Sequence, residues 1–357
     1  MISLKHRSET AFRLPGGLQS TLENRTFFKT SLIYVNRLTN TPLRAGGIVA
    51  KERLRRLRAM LLLRSFESAL LRQPKPGFQL LSRGEEAIAV GICTALERTD
   101  PLLCSGRSIG VALARGVPAG GLLAELAGKD GGPNKGRAGR AHVSMPSVGL
   151  FGAHGVVGGN ISVAAGVALA QQQLGTHAVT CCVFGDGACG AGSLHETLNV
   201  AALWQLPLLL ICDNNGFAVS TSVRQGIAAP SLTDLATPFG VPAAAVDGTD
   251  VDAVVSATVD AAAAIRAGYG PRFLEMRCVR MGSHSTLTRE ERLAADVERF
   301  IESDPLLIYE RRLRDDGVLD DERWVRIQAE VNEDIAEAEK FVEAASWPDP
   351  EAAMLDV

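Results

Sequence analysis

Two short polar clusters each follow a run of apolar residues in the middle of the chain. Asp186 lies in a GDG cluster directly after VTCCVF, and Asn215 lies in a DNNG cluster directly after LPLLLIC. Their side chains offer one anionic and one neutral oxygen, and Mg²⁺ prefers oxygen ligands. Because magnesium usually keeps phosphate oxygens and water in its coordination shell, the predicted ligand is a metal–diphosphate pair.

The elements around the clusters predict that the two lie close together. Residues 178–184 and 207–212 have the composition of buried strands, and residues 193–205 have that of a helix between them. In a right-handed strand–helix–strand unit the two strands run in the same direction, so the loops that follow them meet at one edge of the sheet. The first turn of the helix, at Ser193, would then face the charge of the bound anion.

Two other interpretations of the clusters are open. Gly, Asp and Asn are common in turns after strands, and each cluster taken singly is weak support for a binding site. Gly185, Gly187 and Gly190 also satisfy the G-x-G-x-x-G pattern of a nicotinamide-dinucleotide site, with Asp213 at the end of the next strand. That interpretation would set a carboxylate against a pyrophosphate without a cation, and it leaves the second cluster unexplained. A metal bridge accounts for both clusters.

The remaining segments alternate between helical and extended patterns. A helix with an apolar stripe is predicted over residues 49–72, and a Gly-rich basic segment over residues 129–150 is predicted to be a long loop. Further elements are helices over 85–97, 118–127, 158–173 and 251–267, strands over 241–246 and 272–280, and a charged helical pattern over 304–346. This alternation predicts an α/β fold with a mostly parallel sheet that is flanked by helices.

The order of elements divides the chain into three predicted parts. Residues 1–48 form a flexible N-terminal extension, 49–303 an α/β ligand-binding domain, and 304–357 a C-terminal helical arm. The first part has the Arg, Ser and Thr content of an organelle-targeting segment, but Glu9 and Glu23 argue against that interpretation. We therefore interpret it as an ordinary extension, or as the product of a start codon placed too early.

The composition favours a protein that binds small molecules or other proteins. Of the 357 residues 46% are hydrophobic, and the net charge of -3 is spread without long blocks, which leaves no basic surface for nucleic acid or an anionic membrane. The seven cysteines lie mostly in apolar runs without the spacing of metal ligands, so we expect reduced core thiols and a cytoplasmic location. The apolar runs are too short to cross a bilayer.

Several blocks along the chain resemble the thiamine diphosphate-dependent alpha subunits of 2-oxo acid dehydrogenase complexes, including those of pyruvate and acetoin dehydrogenase. The most characteristic block is HETLNVAALWQLPLLLICDNNGFAVSTSV at 195–223, which contains the second polar cluster. The other blocks are MLLLRSFESALL (60–71), GEEAIAVG (84–91), LAELAGKDGGPNKGRAGRAH (123–142), GAHGVVGG (152–159), DGTDVDAVVSATVDAAAAIRAGYGPRFLEMR (247–277) and HSTLTREE (284–291). The resemblance identifies 49–303 as a thiamine diphosphate-binding domain, in its diphosphate-binding half.

The resemblance also implies a cofactor site built from matched positions. Asp186, the side chain of Asn215 and the backbone carbonyl of Phe217 would hold Mg²⁺. The positions matched to thiamine diphosphate itself are Gly187 and Ala188 at the diphosphate, Arg107 and His284 neutralising its charge, and Gly155 and Val157 beside its rings. His284 would in addition be the catalytic residue of this chain.

The same resemblance implies the activity and the assembly. The expected function is decarboxylation of a 2-oxo acid, or cleavage of acetoin, with transfer of the acyl group to lipoamide and with thiamine diphosphate and Mg²⁺ as cofactors. Because such alpha subunits hold one half of the cofactor site, we expect a beta subunit to complete an alpha2-beta2 heterotetramer. The other expected partners are a lipoyl-bearing acyltransferase component and a small-molecule 2-oxo acid, with no nucleic acid and no membrane.

Four positions depart from the family pattern on the side of the substrate. Leu80 and Ile109 stand where relatives have histidine. Gly106 replaces a tyrosine, and Gly282 replaces the first histidine of an HGHS motif. These changes predict a more apolar substrate pocket beside an intact diphosphate half. They keep two alternatives open: a thiamine-dependent carboligase or acyl transferase with a different acceptor, and a non-catalytic partner that binds cofactor beside a beta subunit.

Overall fold

A parallel sheet lies at the centre of the computed structural model, which describes residues 47–74, 77–290, 292, 297–298 and 301–354. Within these residues six strands form the sheet, and two more form a separate antiparallel hairpin. In chain order the strands are β1 (Leu102–Ser105), β2 (Leu150–His154), β3 (Thr180–Gly185), β4 (Leu208–Asn214), the hairpin strands β5 (Phe217–Ala218) and β6 (Thr221–Ser222), β7 (Ala243–Asp247) and β8 (Arg272–Arg277). The order across the sheet is β2-β1-β3-β4-β8-β7, and each neighbouring pair is parallel. The predicted α/β fold is confirmed.

Helices connect most of these strands. Those of eight residues or more in the described part of the chain are α1 (Gly47–Arg72), α2 (Glu86–Ala95), α3 (Ser108–Arg115), α4 (Ala119–Leu126), α5 (Gly159–Gln173), α6 (Gly192–Trp204), α7 (Val251–Arg266), α8 (Pro305–Asp315) and α9 (Asp321–Ala344). Asp250 begins α7 by accepting hydrogen bonds from the backbone N–H groups of Asp252 and Ala253, which satisfies donors of the first turn. Among the described helices none has both the length and the apolar character needed to cross a membrane.

Strands β3 and β4, at the centre of the sheet, are buried on both faces, as is usual in a parallel sheet. Alternate residues belong to two different hydrophobic clusters, the first containing Cys181, Val183, Leu209 and Ile211, and the second Cys182, Phe184, Leu208 and Leu210. Helices α2 and α7 contribute to the first cluster, whereas α5 and α6 contribute to the second. The continuous apolar runs before the two polar clusters therefore arise because both faces of these strands are covered.

The helices near the C-terminus pack against the same hydrophobic cluster as α1. Leu313 of α8 and Val331 of α9 are buried within the first cluster, which also contains residues of α1. Arg58 of α1 forms ion pairs with Glu330 and Asp334 of α9. The charged pattern of this region thus serves contacts between helices that are distant in sequence. The predicted N-terminal extension, up to residue 46, lies outside the described residues.

The structure contains elements that the sequence pattern did not predict. Strands β1 and β2 are four and five residues long, too short for a periodic pattern to indicate them, and α3 has only eight residues. The predicted turn after β3 is a short 3-10 helix, Asp186–Gly190. The helical pattern over 304–346 contains two helices, and Gly317, at a φ of 68°, lies between them. A left-handed glycine is a common way to end a helix.

Leu210 lies in β4 and is fully buried, so Leu210→Ala should destabilise the chain. We expect the free energy of unfolding to fall by about 2–5 kcal/mol, because the smaller side chain leaves a cavity in a packed layer. Leu203→Ala on α6 is the matched control, since Leu203 is 73% exposed. The control should change the free energy by less than about 0.5 kcal/mol. Urea unfolding followed by circular dichroism measures both, and equal losses would contradict the burial of β4.

Candidate functional site

One edge of the sheet carries most of the residues predicted to bind the cofactor. The carboxyl ends of β2, β1, β3 and β4 lie side by side, and the predicted residues follow these ends in the order Gly155 and Val157, Arg107, Asp186, and Asn215. Strands β1 and β3 are neighbours in the sheet. The chain continues from β1 to β2 on one side of this pair, and from β3 to β4 on the other side. Open α/β sheets bind ligands outside the carboxyl ends of the strands at such a switch point.

Asp186 is buried at the end of β3, and only one of its two carboxylate oxygens has a partner. Its Oδ1 accepts a hydrogen bond from the backbone N–H of Gly187 (2.9 Å), while Oδ2 has no hydrogen-bond partner among the described residues. Burial raises the pKa of this carboxyl to about 6, and the nearby carboxylate of Glu85 contributes to the rise. An unpaired buried oxygen costs about 1–3 kcal/mol. A cation bound to Oδ2 would remove that cost.

The backbone after Asp186 packs closely against the β5–β6 hairpin. A Cβ atom placed on Gly187 would lie 2.8 Å from the Cβ of Ala218, which is too close for a real contact. Glycine is therefore required here by the approach of the hairpin, and the neighbouring Ala188 is buried. Because β5 begins at Phe217, the same contact brings the backbone of that residue beside the GDG cluster.

Glu85, directly before α2, contacts one residue that follows β1 and one that follows β4. Its Oε1 accepts a hydrogen bond from Asn215 Nδ2 (2.9 Å) and lies 3.3 Å from Arg107 Nε. Asn215 Oδ1 in turn accepts a hydrogen bond from the backbone N–H of Phe217 (3.3 Å). Burial raises the pKa of Glu85, although Arg107 and Asn215 oppose the rise. Glu85 was not among the predicted site residues, and its one signal in the sequence is an acid at the start of an otherwise apolar helix.

Arg107 is held in place by three groups that accept from or pair with its guanidinium. Besides its contact with Glu85, its guanidinium donates hydrogen bonds to the backbone carbonyls of Leu81 (2.8 Å) and His284 (2.9 Å). Its Nη2 also lies 3.4 Å from His284 Nδ1. The structure therefore brings together Arg107 and His284, which the sequence places 177 residues apart.

His284 is surrounded by arginines. Burial and the positive charges of Arg107, Arg280 and Arg140 lower the pKa of its imidazole to about 4. The ring is consequently neutral near pH 7 in this arrangement, and the positive charge of the site comes from the arginines. The role of His284 in catalysis and in neutralising a diphosphate stays a prediction. A neutral ring would act as a hydrogen-bonding group.

The carbonyl of Phe217, predicted to hold Mg²⁺, lies near Arg280. Arg280 Nη1 donates to this oxygen at 3.4 Å, and its Nη2 donates to the carbonyl of Val219 at 3.1 Å. Since a carbonyl oxygen has two lone pairs, the first of these contacts leaves one for another ligand. Val219 has a φ of 58°, which is uncommon for a β-branched residue and marks a constrained turn. No specific signal in the sequence pointed to Arg280.

The loop after β2 is the exposed side of the site. Val156 and Val157 are 61% and 69% exposed, and the backbone N–H of Val156 donates to His154 Nδ1 (2.9 Å). The ring of His142 packs against that of His154, with centroids 5.8 Å apart. Gly155 and Val157 thus lie at the predicted edge of the sheet, where the described part of this chain does not cover them.

The four positions that depart from the family pattern fall into two groups. A Cβ atom on Gly106 or Gly282 would meet no atom of the described residues within 4 Å. Leu80 and Ile109 are buried, and Ile109 belongs to the first hydrophobic cluster. Among these four positions the open space therefore lies at the two glycines, whereas the two positions at which relatives are expected to have histidine contribute to packing.

The nicotinamide interpretation has no support in the geometry. Asp213, which would have to bind a ribose, instead accepts a hydrogen bond from Cys278 Sγ (3.1 Å). Burial and the charge of Glu85 raise the pKa of Asp213 well above its usual range. A Cβ atom on Gly190 would make an ordinary contact with Ile227 at 3.5 Å. The third glycine of the pattern is therefore not required by close packing.

A second buried carboxylate positions Arg107 through Ser82. Glu67 of α1 accepts a hydrogen bond from the backbone N–H of Ser82, and Ser82 Oγ donates to the carbonyl of Arg107 (3.2 Å). Burial raises the pKa of Glu67 to about 8, and the carboxylate of Glu86 contributes. Glu67 was missed because an acid in an amphipathic helix is usually a solvated residue. It acquires a role only through packing against the turn before α2.

Comparisons with known proteins show which proteins the chain is similar to. A model of the family described as dehydrogenase E1 component matches residues 52–351. The alpha subunit of the pyruvate dehydrogenase E1 component from Rhizobium meliloti (strain 1021) is 34% identical over 323 residues, covering 88% of this chain and 93% of that protein. The alpha subunit of acetoin:2,6-dichlorophenolindophenol oxidoreductase from Bacillus subtilis (strain 168) is 35% identical over 288 residues, 79% and 85% of the two chains. The alpha subunit, somatic form, of the mitochondrial pyruvate dehydrogenase E1 component from Homo sapiens is 35% identical over 281 residues, which cover 77% of this chain and 70% of that protein.

The buried carboxyl of Glu67 should make stability depend on pH. Its pKa is about 8 in the folded chain against 4.5 for an ordinary glutamate, so between these values the folded state holds a proton that the unfolded state has released. Stability should therefore fall as pH rises from 4.5 to 8, and Glu67→Gln should remove this component, on the order of 2–4 kcal/mol across the window. Urea unfolding at several pH values measures it, with the exposed Glu322→Gln as control. Parallel pH profiles for Glu67→Gln and the wild type would contradict the burial of this charge.

Proposed function

Since the chain belongs to the dehydrogenase E1 component family, we propose that it is the alpha subunit of a thiamine diphosphate- and Mg²⁺-dependent enzyme of 2-oxo acid dehydrogenase type. The reaction is decarboxylation of a 2-oxo acid, or cleavage of acetoin, with transfer of the acyl group to lipoamide. The matched relatives include both pyruvate dehydrogenase and acetoin oxidoreductase alpha subunits, which supports an oxidoreductase but leaves both substrates as candidates.

The observation that carries the proposal is the unpaired carboxylate oxygen of Asp186. A buried oxygen without a partner is unfavourable in the chain by itself, and it becomes favourable when a cation binds. Asn215 lies at the end of the neighbouring strand, and the backbone of Phe217 lies beside the same cluster. These are hard oxygen donors, which suit Mg²⁺ better than a soft metal.

The residues of this chain would bind and orient the cofactor. Asp186, the side-chain oxygen of Asn215 and the carbonyl of Phe217 would hold Mg²⁺, while the backbone at Gly187 and Ala188 would contact the diphosphate. When bound, thiamine diphosphate supplies the electron sink that 2-oxo acid decarboxylation requires. The protein positions it and supplies the charges around it.

Arg107 would provide the main positive charge against the diphosphate. A guanidinium has five N–H donors, more than its contacts with Glu85, Leu81 and His284 require. These contacts fix its position beside the end of β1, so little side-chain entropy remains to be lost when an anion binds. The neutral ring of His284 would complete the arrangement as a hydrogen-bonding group.

A beta subunit is the partner that the exposed side of the site requires. Strand β2 is at one edge of the described sheet, and three apolar residues on it and on the following loop are exposed: Phe151 (44%), Val156 (61%) and Val157 (69%). Exposed apolar residues on an edge strand typically mark a surface that another chain covers. Gly155 and Val157 belong to this surface, so the second chain would close the cofactor site in an alpha2-beta2 assembly.

Activity should require the beta subunit. The chain alone should not reduce 2,6-dichlorophenolindophenol with any 2-oxo acid or acetoin, because the loop at Gly155–Val157 is open to solvent. Co-expression with a beta subunit from the same genome should yield a complex that is active with thiamine diphosphate and Mg²⁺. A screen of 2-oxo acids and acetoin identifies the substrate. A complex that binds the cofactor tightly but acts on none of these substrates would favour the non-catalytic alternative.

Asp186→Ala should abolish Mg²⁺-dependent cofactor binding without unfolding the chain. We expect the dissociation constant for thiamine diphosphate to rise by at least about 100-fold, since a metal ligand is lost. Removing a buried, partly unpaired carboxylate should leave the melting temperature unchanged or higher. Calorimetry with and without Mg²⁺ on the co-purified complex measures binding, and Asp260→Ala on the exposed face of α7 is the control. Unchanged binding in Asp186→Ala would contradict the site assignment.

A further inference from the structure

Arg140 is a cation near the site that has no role in the functions described so far. It lies in the loop between α4 and β2, and its guanidinium carbon is 4.4 Å from the centroid of the Phe78 ring. The guanidinium makes no hydrogen bond or ion pair with the part of the chain that the structure describes. Its charge nevertheless reaches the site, because it helps to lower the pKa of His284. Among the described residues Arg140 is thus a positive charge without a counter-ion beside the predicted cofactor residues.

The backbone of Arg140 is fixed on both sides. The fully buried carboxylate of Glu125 accepts hydrogen bonds from the backbone N–H groups of Ala138 (2.7 Å) and Gly139 (3.3 Å), the two residues before it. Ser108 Oγ donates to the carbonyl of Arg140 (3.0 Å). Ser108 directly follows the diphosphate candidate Arg107 in sequence. The guanidinium therefore extends from an anchored point near the end of β1, although it lies in a long Gly-rich loop.

The surroundings of Arg140 fit a ligand with an anionic head and a short apolar part. Phe78 is 41% exposed, so its ring offers an apolar surface beside the guanidinium. Gly106, which precedes Arg107, leaves open space around its Cα. A guanidinium is planar and can bind both oxygens of a carboxylate, and contact with an aromatic ring helps to hold that plane in place.

We propose that Arg140 binds the carboxylate of the 2-oxo acid substrate, whose carbon chain lies against Phe78. The inference rests on the function proposed above. Both the substrate carboxylate and the cofactor diphosphate are anionic oxygen groups. Arg107 is the cation tied through Glu85 to Asn215, and so to the metal side. Arg140 lies instead against an exposed aromatic ring, which a diphosphate would not use.

The test compares Arg140→Met and Arg140→Lys in the complex with the beta subunit. Arg140→Met should raise the dissociation constant of oxamate, an unreactive 2-oxo acid analogue that keeps the carboxylate, by about 10- to 100-fold in the cofactor-loaded complex. The value of kcat/KM for 2-oxo acids should fall by a similar factor. Arg140→Lys should lose less, since it keeps the charge but not the planar fork.

Acetoin and the cofactor serve as internal references. Acetoin has no carboxylate, so in Arg140→Met its kcat/KM should fall far less than that of the 2-oxo acids. The calorimetric dissociation constant of thiamine diphosphate with Mg²⁺ should likewise rise far less than that of oxamate. Arg137→Met removes the same charge from an exposed residue of the same loop and is the matched control. It should leave oxamate binding at the wild-type level.

Each alternative result overturns the inference in a recognisable way. If Arg140→Met weakens cofactor binding and lowers activity on 2-oxo acids and acetoin equally, the guanidinium binds the diphosphate and not the substrate. If Arg140→Met matches Arg137→Met in every measurement, Arg140 binds neither group. If the wild-type complex binds no thiamine diphosphate with Mg²⁺, the proposed function fails and the inference fails with it. The wild-type measurement separates this last case from failure of the inference alone.

Discussion

The carboxylate of Glu85 contacts Arg107 and Asn215 at the same time, and through them it ties the loop after β1 to the loop after β4. Strand β3, which ends directly before Asp186, lies between these two strands in the sheet. A buried carboxylate of this kind depends on its partners, because removing one of them typically costs about 3–5 kcal/mol. The loops are therefore held in place without a ligand, and the position of the metal-binding candidate Asn215 depends on this interaction.

The parallel sheet, and the edge at which Asp186 and Asn215 lie, were predictable from the sequence because they rest on local patterns. Apolar runs that end in polar clusters indicate buried strands, and the handedness of the connection then brings Asp186 and Asn215 to one edge. Glu85, Glu67 and Arg140 could not be found in this way. Their roles arise from packing between segments that are distant in sequence, and a single acid in a helix or a single arginine in a loop carries no periodic signal.

The site combines several features that are unfavourable in isolation. Asp186 has an unpaired buried oxygen, Val219 has a left-handed backbone, and Asp213 is a partly buried carboxyl whose pKa is raised. Such features cluster where a protein binds or transforms a ligand, since a stable core would be built without them. Their concentration at the carboxyl ends of β3 and β4, in contrast to the well-packed apolar layers below, sets this edge apart from the rest of the sheet.

The pairing of α1 with α9 has a consequence for biosynthesis. Arg58 and Arg72 of α1 bind acids of α9 that lie 267 to 276 residues further along the chain. At a translation rate of roughly 5–20 residues per second, α9 leaves the ribosome roughly 15–55 s after α1. During that interval the first helix, which is both basic and apolar, lacks these partners. The nascent chain thus completes this part of its fold last, and a truncated transcript would release a protein whose first helix lacks its ion-pair partners on α9.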